Sequence, residues 1–403
     1  MTTIPTVANP HLDSPDTFVQ GVPHEAFARL RRDAPVYRQE TEDGRSFWVL
    51  SKHADIAYAS QHPAIFSSSR GVILGDDVNQ GGYELMMLNM DPPQHTKLRS
   101  LVNMGFTPKM IRQMETHVHG IAQEIVRDAV EKREFDFVTD VAAELPLRVI
   151  AEIIGIPQED RHQIFQWSNR MVGVEDPEYG LSHADAQEAA INMFAYADKL
   201  AQQRRLAPQD DLVSVLMDAE VDGEHLTPIE FNVFFLLLAV AGNETTRNLI
   251  SGGMLALIEY PDQLAVVRES PAHLTTAVEE MLRWVTPVMY FRRTVMQDTE
   301  LRGQRLAAGD PATLWYISGN RDEEVFPDAG RFDARRDPNP HITFGGGGPH
   351  FCLGYSLARL EIRLIFEELL KSIGQFELAG PVARLRSNFI NGIKHIPMRI
   401  VPA

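Results

Sequence analysis

The sequence predicts a mainly α fold with a smaller β portion, on three observations. Helical spacing of apolar residues runs almost unbroken from about residue 92 to 285. Short strand-like pieces punctuated by Gly and Pro lie outside that block, at about 36–51, 289–317 and 376–401. The 403 residues, 44% hydrophobic and 23% charged, have an ordinary globular composition, which excludes a disordered or collagen-like chain. No repeat, low-complexity run or linker divides the chain, so residues 1–403 read as one unit.

Residues 1–22 read as an irregular arm. His24 to Arg32 has helical spacing and stops near Pro35. Two strand-like runs follow, 36–39 and 46–50, around the turn-forming Glu42-Asp43-Gly44. Residues 66–90 hold four glycines among scattered apolar residues, the pattern of a long and hence functional loop. Thr107-Pro108 opens a helix with apolar residues at 110, 111, 114, 118, 121, 125 and 126, close to a 3.6 period; 140–154, 158–171, 183–205 and 211–217 read likewise.

Thr227-Pro228-Ile229-Glu230 is the strongest start signal: Thr caps, Pro takes the first helical position, and Glu reaches back to the cap amide. The helix it opens persists to about Tyr260, roughly 50 Å long. It is apolar nearly all round from 231 to 242, so its centre is expected to be buried. Strand-like 289–295 and 313–317, a glycine-rich loop, a helix over 353–373 and a β-like tail complete the chain.

Lys and Arg number 38 against 55 Asp and Glu, a net charge of −17. Such a surface repels phosphate backbones, so no nucleic-acid partner is expected. The N-terminal residues are polar and lack the charged-then-apolar order of a secretory leader. The longest apolar stretch, Phe231 to Gly242, is too short to span a bilayer, so no membrane anchor is expected. One cysteine excludes an intrachain disulfide. A soluble, cytoplasmic protein follows.

That cysteine, Cys352, closes the run Phe344-Gly345-Gly346-Gly347-Gly348-Pro349-His350-Phe351-Cys352-Leu353-Gly354, directly before the last helix. A solitary cysteine is most often a small buried apolar residue. Here consecutive glycines remove side chains where the backbone approaches something flat and bulky. A helix N-terminus favours a thiolate over a thiol. No Gly-Lys-Ser/Thr follows, so the loop is not a phosphate cradle. A hydrolytic site pairing Cys352 with His350 leaves the glycines unexplained. An axial thiolate to haem iron explains glycines, helix end and single cysteine together.

This segment resembles the haem-binding signature of the cytochrome P-450 superfamily. That signature places the Phe seven residues before the Cys, whereas Phe344 stands eight before Cys352. The expansion resembles a bacterial subgroup acting on lipids and sterols. Further motifs fall in matching order, among them Phe106-Thr107-Pro108 and Gly319-Asn320-Arg321-Asp322, so the resemblance runs from about residue 20 to the C-terminus. It implies the superfamily's triangular prism with a long central helix crossing the haem, one haem domain over 1–403, and haem b (iron protoporphyrin IX). Cys352 would be the metal ligand, with Phe344, Gly345 and Gly354 around the cofactor.

The weaker motifs each have a plain reading as well. Glu280-Met281-Leu282-Arg283 is, alone, most often a surface i,i+3 ion pair. By resemblance it is a buried structural pair completed by Arg331, with Arg335 and Arg336 as alternatives. Ala241-Gly242-Asn243-Glu244-Thr245-Thr246, alone, is a helix leaving a buried stretch for a polar face. Yet Gly in a helix centre costs about 1 kcal/mol relative to Ala, and threonines bonding back to i−4 carbonyls can loosen the turn. By resemblance Ala241 and Gly242 border an oxygen groove, and Glu244 and Thr245 relay protons in reductive oxygen activation. His95 and Arg99 share one helix face, by default a solvated basic one. The resemblance makes them propionate partners, joined by Arg293 and His350, because buried carboxylates need such partners.

The resemblance therefore implies a monooxygenase that hydroxylates an apolar substrate with O2. Its two electrons would come from a separate ferredoxin and NAD(P)H-dependent ferredoxin reductase, since the haem fold consumes the whole chain. Arg359, Arg363, Lys97, Lys109 and Arg112 are the candidate basic island for an acidic ferredoxin, unless they are dispersed solvating charges. The pocket is expected to draw on Met86, Met87, Met171, Val240, Val288, Met289 and Phe389, although methionines at helical spacing are often plain core. The expected substrate is a lipid, a branched fatty acid or alcohol, or a sterol side chain; terpenoid or natural-product oxidation is the alternative. A non-catalytic haem sensor would keep Cys352 but has no need of Glu244 and Thr245.

Overall fold

The cap at Thr227 forms as its sequence demands. The Glu230 amide donates to the Thr227 hydroxyl at 3.4 Å, and the Glu230 carboxylate accepts from the Thr227 amide at 2.9 Å. The helix then runs unbroken over Pro228–Glu259, about 48 Å at ~1.5 Å per residue. The structure, a computed structural model, describes residues 9–75, 83–103, 106–179, 182–221 and 224–402.

Among the described residues, eight α-helices precede this one: α1 (His24–Asp33), α2 (His53–Gln61), α3 (Gln94–Asn103), α4 (Pro108–Lys132), α5 (Glu144–Ile154), α6 (Arg161–Val172), α7 (His183–Leu206) and α8 (Leu212–Asp218). The long helix is α9. Pro261 and Pro271 open α10 (Pro261–Glu269) and α11 (Pro271–Val285); α12 (Tyr316–Gly319) and α13 (Tyr355–Ser372) follow. Helix α9 packs against α5, α6, α7, α10, α11 and α13, so most of the main core is built on it. No helix among the described residues is long and apolar enough to cross a membrane.

A five-stranded sheet stands beside this helical bulk. Its order is Val36–Glu40, Ser46–Leu50, Pro311–Leu314, Phe291–Val295 and Phe66–Ser67, antiparallel throughout except where Leu50 faces Leu314 in a parallel pair. The tail strands Ile373–Leu378 and Pro397–Pro402 pair with Glu134–Asp136. The mainly α class with a smaller β part therefore holds.

Three elements depart from the periodicity. Helix α2 lacks an apolar stripe: Asp55 and Ser60 are buried beside Ile56 and Ala59, Asp55 against Arg302 and Ser60 donating back to the Ile56 carbonyl at 2.8 Å. The helix expected over 140–154 instead begins as a π-helical turn, Val138–Ala142, before α5. The strand expected over 313–317 ends at Leu314, and Tyr316 starts the single turn α12. Part of the long loop expected over 66–90, residues 76–82, lies outside the described residues.

The Glu280–Arg283 pair is fully buried, at 0% exposure for both side chains. Two parallel bonds of 2.7 Å join them, and Arg283 also donates to the Asn320, Ala329 and Arg331 carbonyls. Glu280 accepts further from the Asp333 amide at 2.9 Å, from Asn339 Nδ2 at 3.0 Å and from Arg336 Nε at 3.1 Å. The third arginine is thus Arg336 rather than Arg331. The bond from the Asp333 amide brings the segment round so that position 336 meets the carboxylate, while Arg331 contributes only its carbonyl. Arg335 pairs with Glu269.

Candidate functional site

Gly354 caps α13, and two residues earlier the Cys352 amide donates to the Phe344 carbonyl at 2.9 Å. The Cys352 side chain keeps an open face, although the atoms around it still desolvate its sulfur. Burial pushes the thiol up, against the Gly354 amide and the Arg99 and Arg359 guanidiniums, which favour the thiolate. Phe344 meets Phe351 at a tilt and Tyr355 edge-on, ring centres 6.3 Å apart in both cases, and Arg359 lies 4.6 Å above it.

The four glycines serve a purpose other than the expected one. All have positive φ: +106° at Gly345, +67° at Gly346, +93° at Gly347 and +77° at Gly348. A Cβ on Gly348 would lie 2.1 Å from the Ser60 carbonyl oxygen, and on Gly347 3.0 Å from Gln61 Nε2. Left-handed backbone at all four, and close packing of Gly346, Gly347 and Gly348 on the end of α2, thus require them; no space is kept at those three for a flat ligand. Gly354 differs: a Cβ there would meet nothing within 4 Å, so the open space adjoins the cysteine.

His95, Arg293 and His350 gather in the interior. The His95 and His350 rings are 4.2 Å apart, and His350 Nε2 lies 3.1 Å from the Ser68 hydroxyl. Burial, then the Arg99 charge, brings His95 down to about 4. Its Nδ1 is buried without a partner among the described residues. Arg293 is buried too; its Nη1 donates to the Arg292 carbonyl at 2.8 Å, and among the described residues no carboxylate pairs with it. Buried donors without an anion fit a carboxylate-bearing group, and the Cys352 side chain is open to an incoming ligand, with nothing within 4 Å of a Cβ on Gly354. These residues fit a haem. Arg99 is placed differently from the expectation: it grips the Pro349 carbonyl at 3.0 Å and the Phe351 carbonyl, bracing the cysteine loop. Among the described residues no hydrogen bond joins Cys352 to His350, so the hydrolytic pair is not formed.

A cavity of about 1330 Å³ reaches the middle of α9. Met86, Met171, Val240, Val288 and Phe389 line it as expected, with Ala241, Glu244 and Thr245 at its α9 wall. Met87 and Met289 do not: both are buried in cores, Met87 in the main one and Met289 with Trp315 and Phe27. Leu236 and Leu237 also line it and were not anticipated. Their signal was available, because 237, 240, 241 and 244 fall on one helical stripe.

Gly242 points elsewhere. A Cβ there would lie 2.7 Å from Ile150 Cγ1, so this glycine lets α5 cross α9 closely rather than opening an oxygen groove. Thr245 donates back to the Ala241 carbonyl at 2.9 Å, the expected i−4 bond, yet the helix stays continuous. Glu244 is buried beside Arg247; burial pushes its carboxyl up, and Arg247 draws it down.

Of the candidate docking cations, Arg359 holds Glu279 through bonds of 2.6 and 2.8 Å, and Arg363 pairs with Glu115 and Glu367. Both are neutralised within the fold. Lys97, Lys109 and Arg112 are exposed.

A sequence profile described as Cytochrome P450 matches residues 272–379. The chain is 42% identical to a steroid C26-monooxygenase of Rhodococcus jostii over 96% of its length and 85% of that protein. It is 44% identical to a methyl-branched lipid omega-hydroxylase of Mycobacterium tuberculosis, covering 93% of this chain and 90% of that one. A Mycobacterium marinum cytochrome P450, CYP268A2, in complex with pseudoionone, superposes with a TM-score of 0.89 at 40% identity, covering 93% of this chain and 94% of that one.

Proposed function

The chain belongs to the cytochrome P450 family and is a monooxygenase, and on that basis we propose that it hydroxylates the terminal carbon of a methyl-branched lipid or sterol side chain. The cavity is the observation that supports this substrate class. Its 1330 Å³ exceeds the roughly 300–1,000 Å³ of ordinary ligand pockets, and its walls around Leu236, Leu237, Val240 and Val288 are apolar. A long or multi-ring apolar molecule fits such a space, and the names of the two curated relatives point to a terminal position on it.

Cys352 would hold haem b through its thiolate, with His95, Arg293 and His350 toward its carboxylates and Arg99 bracing the loop. When bound, the haem supplies reductive activation of dioxygen, with two electrons from a ferredoxin and its NAD(P)H-dependent reductase. The chain's own residues then do three things. Apolar side chains at 236, 237 and 240 exclude bulk water from the reacting carbon. Thr245, by turning its hydroxyl from the Ala241 carbonyl, delivers a proton into the cavity. Glu244 resupplies that proton from within the helix wall. Because Arg359 and Arg363 are engaged in ion pairs, the ferredoxin surface is assigned to the exposed Lys109 and Arg112.

Titrating the ferric protein with a methyl-branched fatty alcohol, a sterol bearing its full side chain, and the same rings without the side chain tests the substrate class. A spin-state shift with the first two and a terminally hydroxylated product are expected. A response to the truncated rings alone, or a hydroxyl on a ring carbon, would overturn the assignment; pseudoionone belongs in the same screen. Thr245→Ala is expected to lower product formed per NADH by roughly tenfold or more, since a positioned proton donor contributes at least about 10²-fold. NADH oxidation should continue. An unchanged yield would remove Thr245 from the relay.

A further inference from the structure

Arg247 lies one turn beyond Glu244 on α9, and both side chains are 2% exposed. Its Nη2 donates to Glu244 Oε2, while Nη1 donates to Asn169 Oδ1 on α6 at 2.7 Å. The guanidinium also lies 5.4 Å from the centre of the Phe165 ring on the same α6. Asn248 fixes the backbone at this point, donating to the Glu244 carbonyl at 2.8 Å. The second carboxylate oxygen, Glu244 Oε1, is buried with no partner among the described residues. Glu244 lines the cavity, and so do Met171 and Val172 at the end of α6.

A buried ion pair contributes less to stability than well-packed apolar side chains would, so its presence on a cavity wall calls for a second reason. A planar fork holds two acceptors on different helices at fixed angles, whereas a lysine ammonium is a point charge on a flexible stem that fixes neither. We propose that Arg247 is a positioning residue for the monooxygenase: its fork engages Glu244 Oε2, leaves Oε1 to take up and release the proton, and ties that orientation to α6 through Asn169. This rests on the relay role proposed for Glu244.

Few other groups act on the pair. Tyr179, in the segment after α6, lies in the field of both residues, and burial holds its hydroxyl up at about 12, so it stays neutral. Asp176 and Glu178 act on Tyr179, and Glu175 and His183 line the same cavity. Helix α5 presents the apolar Ile150 to this turn. Glu361 of α13 bonds Thr246 instead.

Removing the guanidinium leaves burial unopposed, so Glu244 should hold its proton to higher pH. In the holoenzyme Arg247→Gln, the acid limb of product per NADH is expected to move up by about one pH unit, a tenfold weaker acid. Arg247→Lys, which keeps the charge, should move it much less. Infrared spectra of the substrate-free protein give an independent readout: the neutral-carboxyl band that disappears in Glu244→Gln should persist to higher pH in Arg247→Gln. A band and limb that titrate as in the parent overturn the proposal. Should Arg247→Gln fail to fold, Asn169→Ala removes the tether alone; a smaller shift in the same direction supports the proposal, and no shift overturns it. If Glu244→Gln leaves yield and pH profile untouched, the relay itself fails, while the infrared titration still decides whether Arg247 sets the ionisation of Glu244.

Discussion

Exchanging Glu280 for alanine is expected to destabilise the protein by about 3–5 kcal/mol, the range for breaking a buried pair by removing one partner. Six groups converge on this pair with no solvent exposure: the Asn320, Ala329 and Arg331 carbonyls on Arg283, and Arg336, Asn339 and the Asp333 amide on Glu280. Without the carboxylate, the Arg283 cation remains in the interior with only neutral carbonyl acceptors. Arg336 loses its ion pair, and the 331–339 segment loses the bond that turns it. That segment leads into the cysteine loop, so the loss reaches the site. Native stabilities are only about 5–15 kcal/mol, so little folded, haem-loaded protein should accumulate. A urea unfolding midpoint within error of the parent would contradict this role.

Cys352→Ser should act in the opposite way, keeping the fold and abolishing the chemistry. The loop is held by interactions that do not involve sulfur: the main-chain bond to Phe344, the Arg99 clasp, and the left-handed glycines packed on α2. The side chain itself has an open face, so exchanging sulfur for oxygen leaves no cavity in a packed core. What disappears is a soft anionic ligand that pushes electron density toward iron. Helical circular dichroism should match the parent while hydroxylated product falls below detection. Product at the parental rate would mean that another residue carries the reaction.

Local signals in the sequence proved legible where the deciding forces are local. The cap at Thr227 and Glu230 and the 32-residue helix it opens follow from spacing alone, whereas the place of Val240 and Ala241 at the cavity came from the resemblance. Features set by contacts across the chain did not. Gly242 and Gly345–Gly348 signalled that side chains are excluded, but not that Ile150 and the end of α2 occupy the space. Met86 and Met87 have the same chemistry, and only tertiary packing sends one to the cavity and the other to the core. Arg331, Arg335 and Arg336 were indistinguishable until the Asp333 amide anchored their segment on Glu280. The pairings of Arg359 with Glu279 and of Arg363 with Glu115 were hidden because those partners are 80 and 248 residues away, whereas the i,i+4 pair of Arg363 with Glu367 was open to view.

The most direct measurement is the absorption spectrum of the purified, reduced protein under carbon monoxide. Ligation of iron by the Cys352 thiolate predicts a main band displaced strongly to the red of that given by histidine-ligated haem, and absent from Cys352→Ser. A band at the histidine position, or a protein that stays colourless when expressed with ample porphyrin, would contradict it.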